Sequence, residues 1–244
     1  MSLPPPLRRA ETATAYYRST DAMRSRSVSA VVLTGTLDVP APPYRLLADW
    51  QRETSVHMGL EPGDVQPLPL ARARLRWPDY RHCVQAVADW TRAQGLQDLL
   101  AASEVALMAS RGARYHHDGA QYGGAAFCNL FLSEDQGLDV HFPASGQRIP
   151  LVRGTVMVFD TGQPHALVPR GRQDFDASDF CGAAPERCQV FLPWELPSED
   201  VALAQALGLA FDTDPATAAT LTHEQVWHSG APASVCPQSG RWLA

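Results

Sequence analysis

The chain has 244 residues, 45% of them hydrophobic, which is enough to bury one substantial core. No run approaches the ~20 consecutive apolar residues of a membrane-spanning helix, and the opening MSLPPPLRRAETATAYYRST lacks an apolar signal core, so a cytoplasmic protein without membrane association is expected. The formal net charge of −6, with no basic run, removes the electrostatic drive for nonspecific nucleic-acid binding.

The proline run at Pro4, Pro5 and Pro6, the small polar residues after it and the apolar run Val31–Leu33 predict a loose arm ending in one strand. Tyr80, Cys83, Val84, Val87 and Trp90 follow the i, i+3, i+4, i+7 spacing of an amphipathic helix, opened by Pro78 and closed by Gly95. A second helical piece is expected through Leu96, Leu99 and Leu100. From Val105 to Trp194 the texture changes to eight short β-rich runs: VALMAS, RYHHD, AAFCNLFLS, LDVHF, RIPLV, GTVMVFD, HALV and RCQVFLPW. Glycine, proline and acidic turns separate them, which predicts a sandwich or double-sheet jelly roll. Helical texture returns over Glu199–Leu207 and Ala216–Trp227, before a tail rich in Pro, Gly and Ser that reads as a surface wrap. The expected fold is mainly β with flanking helices. Residues 1–104 form an N-terminal arm and sheet-covering helices, 105–195 the jelly-roll core, and 196–244 a C-terminal helical extension and tail, within one structural domain. The five cysteines are scattered and lack zinc-ribbon spacing, so they read as reduced thiols.

RYHHD carries the chemistry. On a strand alternate side chains share a face, so His116 and Asp118 point together and His117 points away. His165 follows Asp118 by 47 positions, after the strand GTVMVFD and the turn TGQP. Two imidazoles and a carboxylate on one face of an octahedron leave three positions open, the arrangement of non-haem Fe(II) oxygenases.

The stretch from Tyr115 to Trp194 resembles the prolyl-hydroxylase-like branch of the 2-oxoglutarate and Fe(II)-dependent oxygenases. The matching pieces are YHHDG, FCNLFLS with its acidic turn and glycine, RGTVMVFD, PHALVP and RCQVFLPW. The resemblance implies a double-stranded β-helix core, Fe(II) on His116, Asp118 and His165, and 2-oxoglutarate and O2 as co-substrates. It further implies release of succinate and CO2 and hydroxylation of a small-molecule substrate. Asp118 argues against the halogenase variant, in which a small residue replaces the carboxylate. An Arg or Lys on the last core strand normally holds the distal carboxylate of the oxoacid. All twenty basic residues here are arginine, so an arginine must serve.

Arg187 is the choice for that carboxylate, with Gln189 on the same face as a helper. It lies 22 positions after His165, where the family usually has about ten, and the insertion GRQDFDASDFCGAAPE would account for the difference. Arg170 and Arg172 are nearer alternatives, with Arg172 the better of the two because Gly171 can break the strand alternation. Asn129 is a candidate donor to the oxoacid or to a metal-bound oxygen. Tyr122 in GAQYGGA can reach the pocket, although packing on the sheet is the favoured reading, and His141 reads as a core or rim histidine. Asp174, Asp176 and Asp179, interleaved with Phe175 and Phe180, are expected at the barrel mouth, facing a cationic metabolite. The rival reading is a cupin-like jelly roll that holds a metal or a ligand without oxidative turnover.

Overall fold

The computed structural model describes residues 13–57, 61–181 and 187–243. In chain order, Ala13–Ser19 (β1), Ala22–Ser27 (β2) and Val32–Thr36 (β3) precede the helix Tyr44–Arg52 (α1), the strand Val65–Pro67 (β4) and the helices Leu70–Arg76 (α2) and Tyr80–Ala93 (α3). Eight core strands follow: Met108–Ser110 (β5), Ala113–His116 (β6), Ala125–Phe131 (β7), Leu138–Phe142 (β8), Gln147–Pro150 (β9), Thr155–Asp160 (β10), His165–Pro169 (β11) and Gln189–Pro197 (β12). The chain then runs through the helices Val201–Leu207 (α4) and Pro215–Ala218 (α5). It ends in the short strands Gln225–His228 (β13), Ala231–Pro232 (β14), Ser234–Val235 (β15) and Trp242–Leu243 (β16). No helix among the described residues is long and apolar enough to cross a membrane.

Strands β5 to β12 divide between two antiparallel sheets. The larger has the order β3-β10-β7-β12-β5-β4 and the smaller β6-β11-β8-β9. Successive core strands cross from one sheet to the other, except β8 and β9, which form a hairpin in the smaller sheet. This is the double-stranded β-helix, and 34% of the described residues are strand.

Strand alternation sorts the larger sheet into two faces. Ala126, Cys128 and Leu130 of β7, Val156 and Val158 of β10, and Val190, Leu192, Trp194 and Leu196 of β12 face outward, into a core shared with α1, α3 and α4. Val87 and Cys83 supply the α3 side of that core, as the helical spacing predicts. Phe127, Asn129 and Phe131, Met157 and Phe159, and Phe191 and Pro193 take the opposite parity and line the barrel interior. Binary alternation alone therefore decides which residues can reach a ligand between the sheets.

Three expectations need correction. The arm is not loose over its described part, because β1 and β2 form a hairpin in a separate four-stranded sheet with β13 and β14; the proline run lies outside the described residues. Ala216–Trp227 is not one helix. Asp214 caps a single turn through its bond from the Thr217 amide, and Gln225–Trp227 pairs with β1 instead. The piece through Leu96–Leu100 forms turns whose leucines are buried in the helix-side core.

The hairpin is fixed to the barrel by an ion pair. Arg26 and Asp160 have fully buried side chains and meet in two parallel hydrogen bonds of 2.7 Å. Arg26 also donates Nε–H to the Gly123 carbonyl, and Asp160 accepts from the Ser29 and Gly162 amides. Burying two charges is tolerable only because so many of their lone pairs and protons are satisfied. Asp160→Asn leaves the Arg26 charge without its counterion and should cost about 3–5 kcal/mol of stability in urea unfolding. A loss below about 1 kcal/mol would show that water reaches the pair.

Candidate metal centre

Strand register builds the centre. In the antiparallel pairing of β6 with β11, His116 stands directly opposite His165, and the imidazole centroids lie 4.4 Å apart. Strand β6 ends at His116, so Asp118 belongs to the turn after it and not to the strand expected over Tyr115–Asp118. That turn is fixed separately. The Asp118 amide donates to the Thr161 carbonyl at 2.7 Å, and the Gln121 and Tyr122 amides donate back to the Asp118 carbonyl. Gly119 permits the approach, since a Cβ there would meet Val226 at 2.6 Å and the Gly162 backbone at 3.0 Å.

The Asp118 carboxylate faces both imidazoles. Oδ1 is 3.7 Å from His116 Nε2 and Oδ2 is 3.6 Å from His165 Nε2. One ligand atom from each residue falls within 4.8 Å of the others. The other ring nitrogens settle the tautomers, because a carbonyl can only accept. His116 Nδ1–H donates to the Arg114 carbonyl at 2.6 Å and His165 Nδ1–H to the Gln163 carbonyl at 2.9 Å. Each Nε2 lone pair is thereby left to face Asp118, which is how a metal-ligating histidine is held. The residues fit a divalent cation, and borderline N and O donors suit Fe(II).

His165 is the most enclosed ligand, 12% exposed against 38% for His116. Phe159 and Phe142 wall it, with ring centroids at 4.8 and 6.0 Å. Burial, reinforced by the His116 imidazole, pushes its pKa down to about 4, so it stays neutral and ready to ligate at physiological pH. His117 turns away, lies tilted against Trp242 with ring centroids 5.5 Å apart, and has its pKa lowered by burial. His141 joins no cluster; its Nδ1 meets the Tyr115 hydroxyl at 2.5 Å.

The triad opens into a cavity of about 390 Å³ between the sheets. Asn129, 8% exposed, lines it, and its Oδ1 has no partner among the described residues. Farther along, Ser110 and Gln189 are cross-strand neighbours, 1% and 0% exposed, and the Ser110 hydroxyl and Gln189 amide also lack partners. Buried polar groups without partners are uncommon, and two on the wall of one cavity, Asn129 and Ser110, mark a place where a polar ligand fits.

No arginine lines the cavity among the described residues. Arg187 stands two positions before β12, half-buried, and no described residue pairs with its guanidinium. Arg170 is held by Asp135 and Asp139, and Arg172 by Asp179 with 62% of its side chain exposed. The insertion is not at the mouth over its described part. Phe175 and Phe180 are buried and stacked at 5.6 Å, Asp176 caps a short 3-10 turn, Asp179 binds Arg172, and none of them lines the cavity. Tyr122 meets both readings, packing edge-on against Phe127 at 5.1 Å and lining the cavity. The residues missed from the sequence are Ser110 and two glutamates, Glu104 and Glu195, on the cavity wall. Ser110 was legible as the inward end of VALMAS.

No family model and no curated protein matches the chain. Solved structures do. One is the viral collagen prolyl hydroxylase vCPH from Paramecium Bursaria Chlorella virus-1, at 10% identity over 68% of this chain and 89% of that one, with a TM-score of 0.40. Another is EvdO2 from Micromonospora carbonacea var. aurantiaca, at 14% identity over 75% and 89%, with a TM-score of 0.38. A third is SnoN, a non-heme alpha ketoglutarate dependent epimerase from nogalamycin biosynthesis, at 13% identity over 85% and 92%, with a TM-score of 0.37. These likenesses are loose, and the functional reading rests on the chain's own residues.

His116→Ala, Asp118→Ala or His165→Ala removes one of three protein ligands and should weaken Fe(II) binding by more than about a hundredfold in anaerobic calorimetry. His117→Ala should retain it, and equal loss at His117 and His116 would contradict the assigned orientation. A second expectation concerns pH. Between about 4 and 6.5 the unfolded chain takes up a proton that the folded His165 refuses. Stability of the metal-free protein should therefore fall as pH is lowered through that window, by about 1.4 kcal/mol per unit at most from this group. His117 and His141, also pushed down by burial, add with the same sign. Urea unfolding at pH 7 and pH 5 measures the loss, and His165→Asn should reduce it.

Proposed function

We propose that the chain is a non-haem Fe(II) and 2-oxoglutarate-dependent dioxygenase that hydroxylates a small-molecule substrate, with His116, Asp118 and His165 as its metal ligands. The observation that carries the reading is the pair of Nδ1–H bonds to backbone carbonyls, which commits both Nε2 atoms to one carboxylate-bearing point at the end of a jelly-roll cavity. Bound there with the oxoacid and O2, Fe(II) would supply oxidative decarboxylation to succinate and CO2 and the oxidising power for hydroxylation.

The chain's own residues hold, orient and exclude. His116, Asp118 and His165, which line the cavity, would hold the metal with three protein ligands and so leave it free to bind further groups. Asn129 offers an amide and Ser110 a hydroxyl on the cavity wall, and Gln189, paired across the strands with Ser110, stands behind that hydroxyl with an amide of its own. Arg187 stands two positions before Gln189, no described residue pairs with its guanidinium, and a guanidinium suits the distal carboxylate as a two-pronged donor. Arg170 and Arg172 are already engaged by acids, which favours Arg187. Phe159, Phe142 and Met157 keep bulk water from the His165 side. Residues 105–195 are proposed as the catalytic core.

Purified protein with Fe(II), 2-oxoglutarate and O2 should release succinate, slowly without a substrate. No succinate from iron-loaded protein would leave a metal-binding jelly roll without oxidative turnover. Arg187→Ala should raise the 2-oxoglutarate concentration needed for half-maximal release by roughly 30- to 1,000-fold, matching about 2–4 kcal/mol for a lost charge-assisted pair, with metal content unchanged. The same effect from Arg172→Ala, and not from Arg187→Ala, would reassign the carboxylate site.

A further inference from the structure

The cavity is electrostatically one-sided at its solvent end. Apart from the triad, its charged lining side chains are Glu104 and Glu195, and no arginine lines it among the described residues. The antiparallel bridge between Val105 and Trp194 fixes their relation, since it sets Glu104 directly opposite Glu195 on neighbouring backbone. The Ala106 amide, bonded to the Pro193 carbonyl at 3.1 Å, holds the same register. Opposed residues in such pairs have Cβ atoms about 4.5–5.5 Å apart, and like charges placed so cost stability. Neither carboxylate has a hydrogen bond or an ion pair among the described residues, although arginine is the chain's abundant cation. The fold therefore keeps an unrelieved pair of negative charges at the entrance to its candidate site.

The surroundings point inward from that pair. Tyr122 and Phe127, edge to face at 5.1 Å, form the adjoining wall, and Phe127 leads through Phe159 to His165 with centroid steps of 6.1 and 4.8 Å. Burial, then Glu195 and Asp118, raise the pKa of the Tyr122 hydroxyl, and Tyr122 lines the same cavity as both carboxylates. Glu195 is itself raised above the ordinary carboxylate range, by burial and then by Glu104. Asn129, more than nine-tenths buried, turns an unpartnered Oδ1 into the same cavity, cross-strand from Pro193 and two residues along β7 from Phe127. Two carboxylates, a carbonyl acceptor and two aromatic faces ask for the same thing: a donor bearing positive charge.

We propose that Glu104 and Glu195 form a subsite for a cationic group of the substrate, an alkylammonium or a guanidinium, with Tyr122 and Phe127 against its carbon stem. A cation there relieves the repulsion between the two glutamates and brings the attached carbon chain past Tyr122 toward the triad. Anionic groups are disfavoured at this subsite by the same pair. As the substrate subsite of an oxygenase the inference rests on the function proposed above; as a cation-binding site it stands on the cavity alone.

Titration calorimetry on the full chain with hexylamine, hexanol and hexanoate as matched probes tests it. The amine should bind at least about tenfold more tightly than the alcohol, and hexanoate more weakly than either. In the Glu104→Gln and Glu195→Gln double variant, with its fold checked by circular dichroism, amine and alcohol should bind alike. Should that variant not fold, salt dependence in the wild-type chain decides. The amine's advantage should shrink between about 50 mM and 500 mM salt, because exposed charges are screened, and a constant advantage would overturn the proposal. Equal binding of amine and alcohol by the wild type, or an undiminished preference in a folded double variant, would overturn it too. Succinate release by the wild type without any amine reports on the oxygenase reading separately. A chain that prefers the amine but releases no succinate keeps the cation site and loses the oxygenase.

Discussion

The buried pair of Arg26 and Asp160 is the constraint on which the candidate site depends. Asp160 is the last residue of β10, and the residues after it form the turn that delivers His165. With its carboxylate fixed by a guanidinium and by the Ser29 and Gly162 amides, this turn has little freedom. Thr161 extends the constraint, since its hydroxyl lies within bonding distance of the Tyr122 and Ala125 carbonyls while its own carbonyl accepts from the Asp118 amide. Gly123 and Ala125, on the far side of the Asp118 turn, offer carbonyls to Arg26. One ion pair thus ties the two turns that carry Asp118 and His165 to each other and to a hairpin outside the barrel. The cost of burying charge is met by a position for the ligands that packing alone would leave looser.

The core was legible because its strands obey simple rules. Each of the eight runs between Val105 and Trp194 contains one strand, since alternate residues such as Leu130 and Phe131 face two different interiors. The His116, Asp118 and His165 set was legible from spacing, although Asp118 reaches the site through a turn and not through strand parity. The hairpin of β1 and β2 was not, because consecutive Ala15, Tyr16 and Tyr17 are all buried and show no alternation. What buries the tyrosines is remote: Tyr16 donates to Asp214 and Tyr17 to Glu199. Gln225–Trp227 was read as helix because its partner, β1, lies some 200 residues away. The insertion was misplaced because nothing in its sequence says that Phe175 and Phe180 stack inward while Asp176 and Asp179 serve the loop itself. Glu104 and Glu195 become neighbours only through the bridge at Val105, which no local pattern announces.

The cavity has two ends of different character, and that asymmetry joins the two proposals. At one end Ser110 has a hydroxyl without a partner among the described residues, with the Gln189 amide behind it and Arg187 just before β12, and this is the end proposed for the carboxylate. Its open end holds two opposed carboxylates and aromatic faces, and suits a cation. The candidate ligands line the same cavity, so an anionic co-substrate and a cationic substrate would be sorted by charge before either reached the metal.

The most direct measurement is an anomalous-difference map from crystals grown anaerobically with Fe(II) and 2-oxoglutarate. The account predicts one iron peak bonded to His116 Nε2, one Asp118 oxygen and His165 Nε2, with the oxoacid chelating it from the cavity side and its distal carboxylate at Arg187. Iron bound elsewhere, or bound to this triad with the oxoacid absent from the cavity, would contradict it.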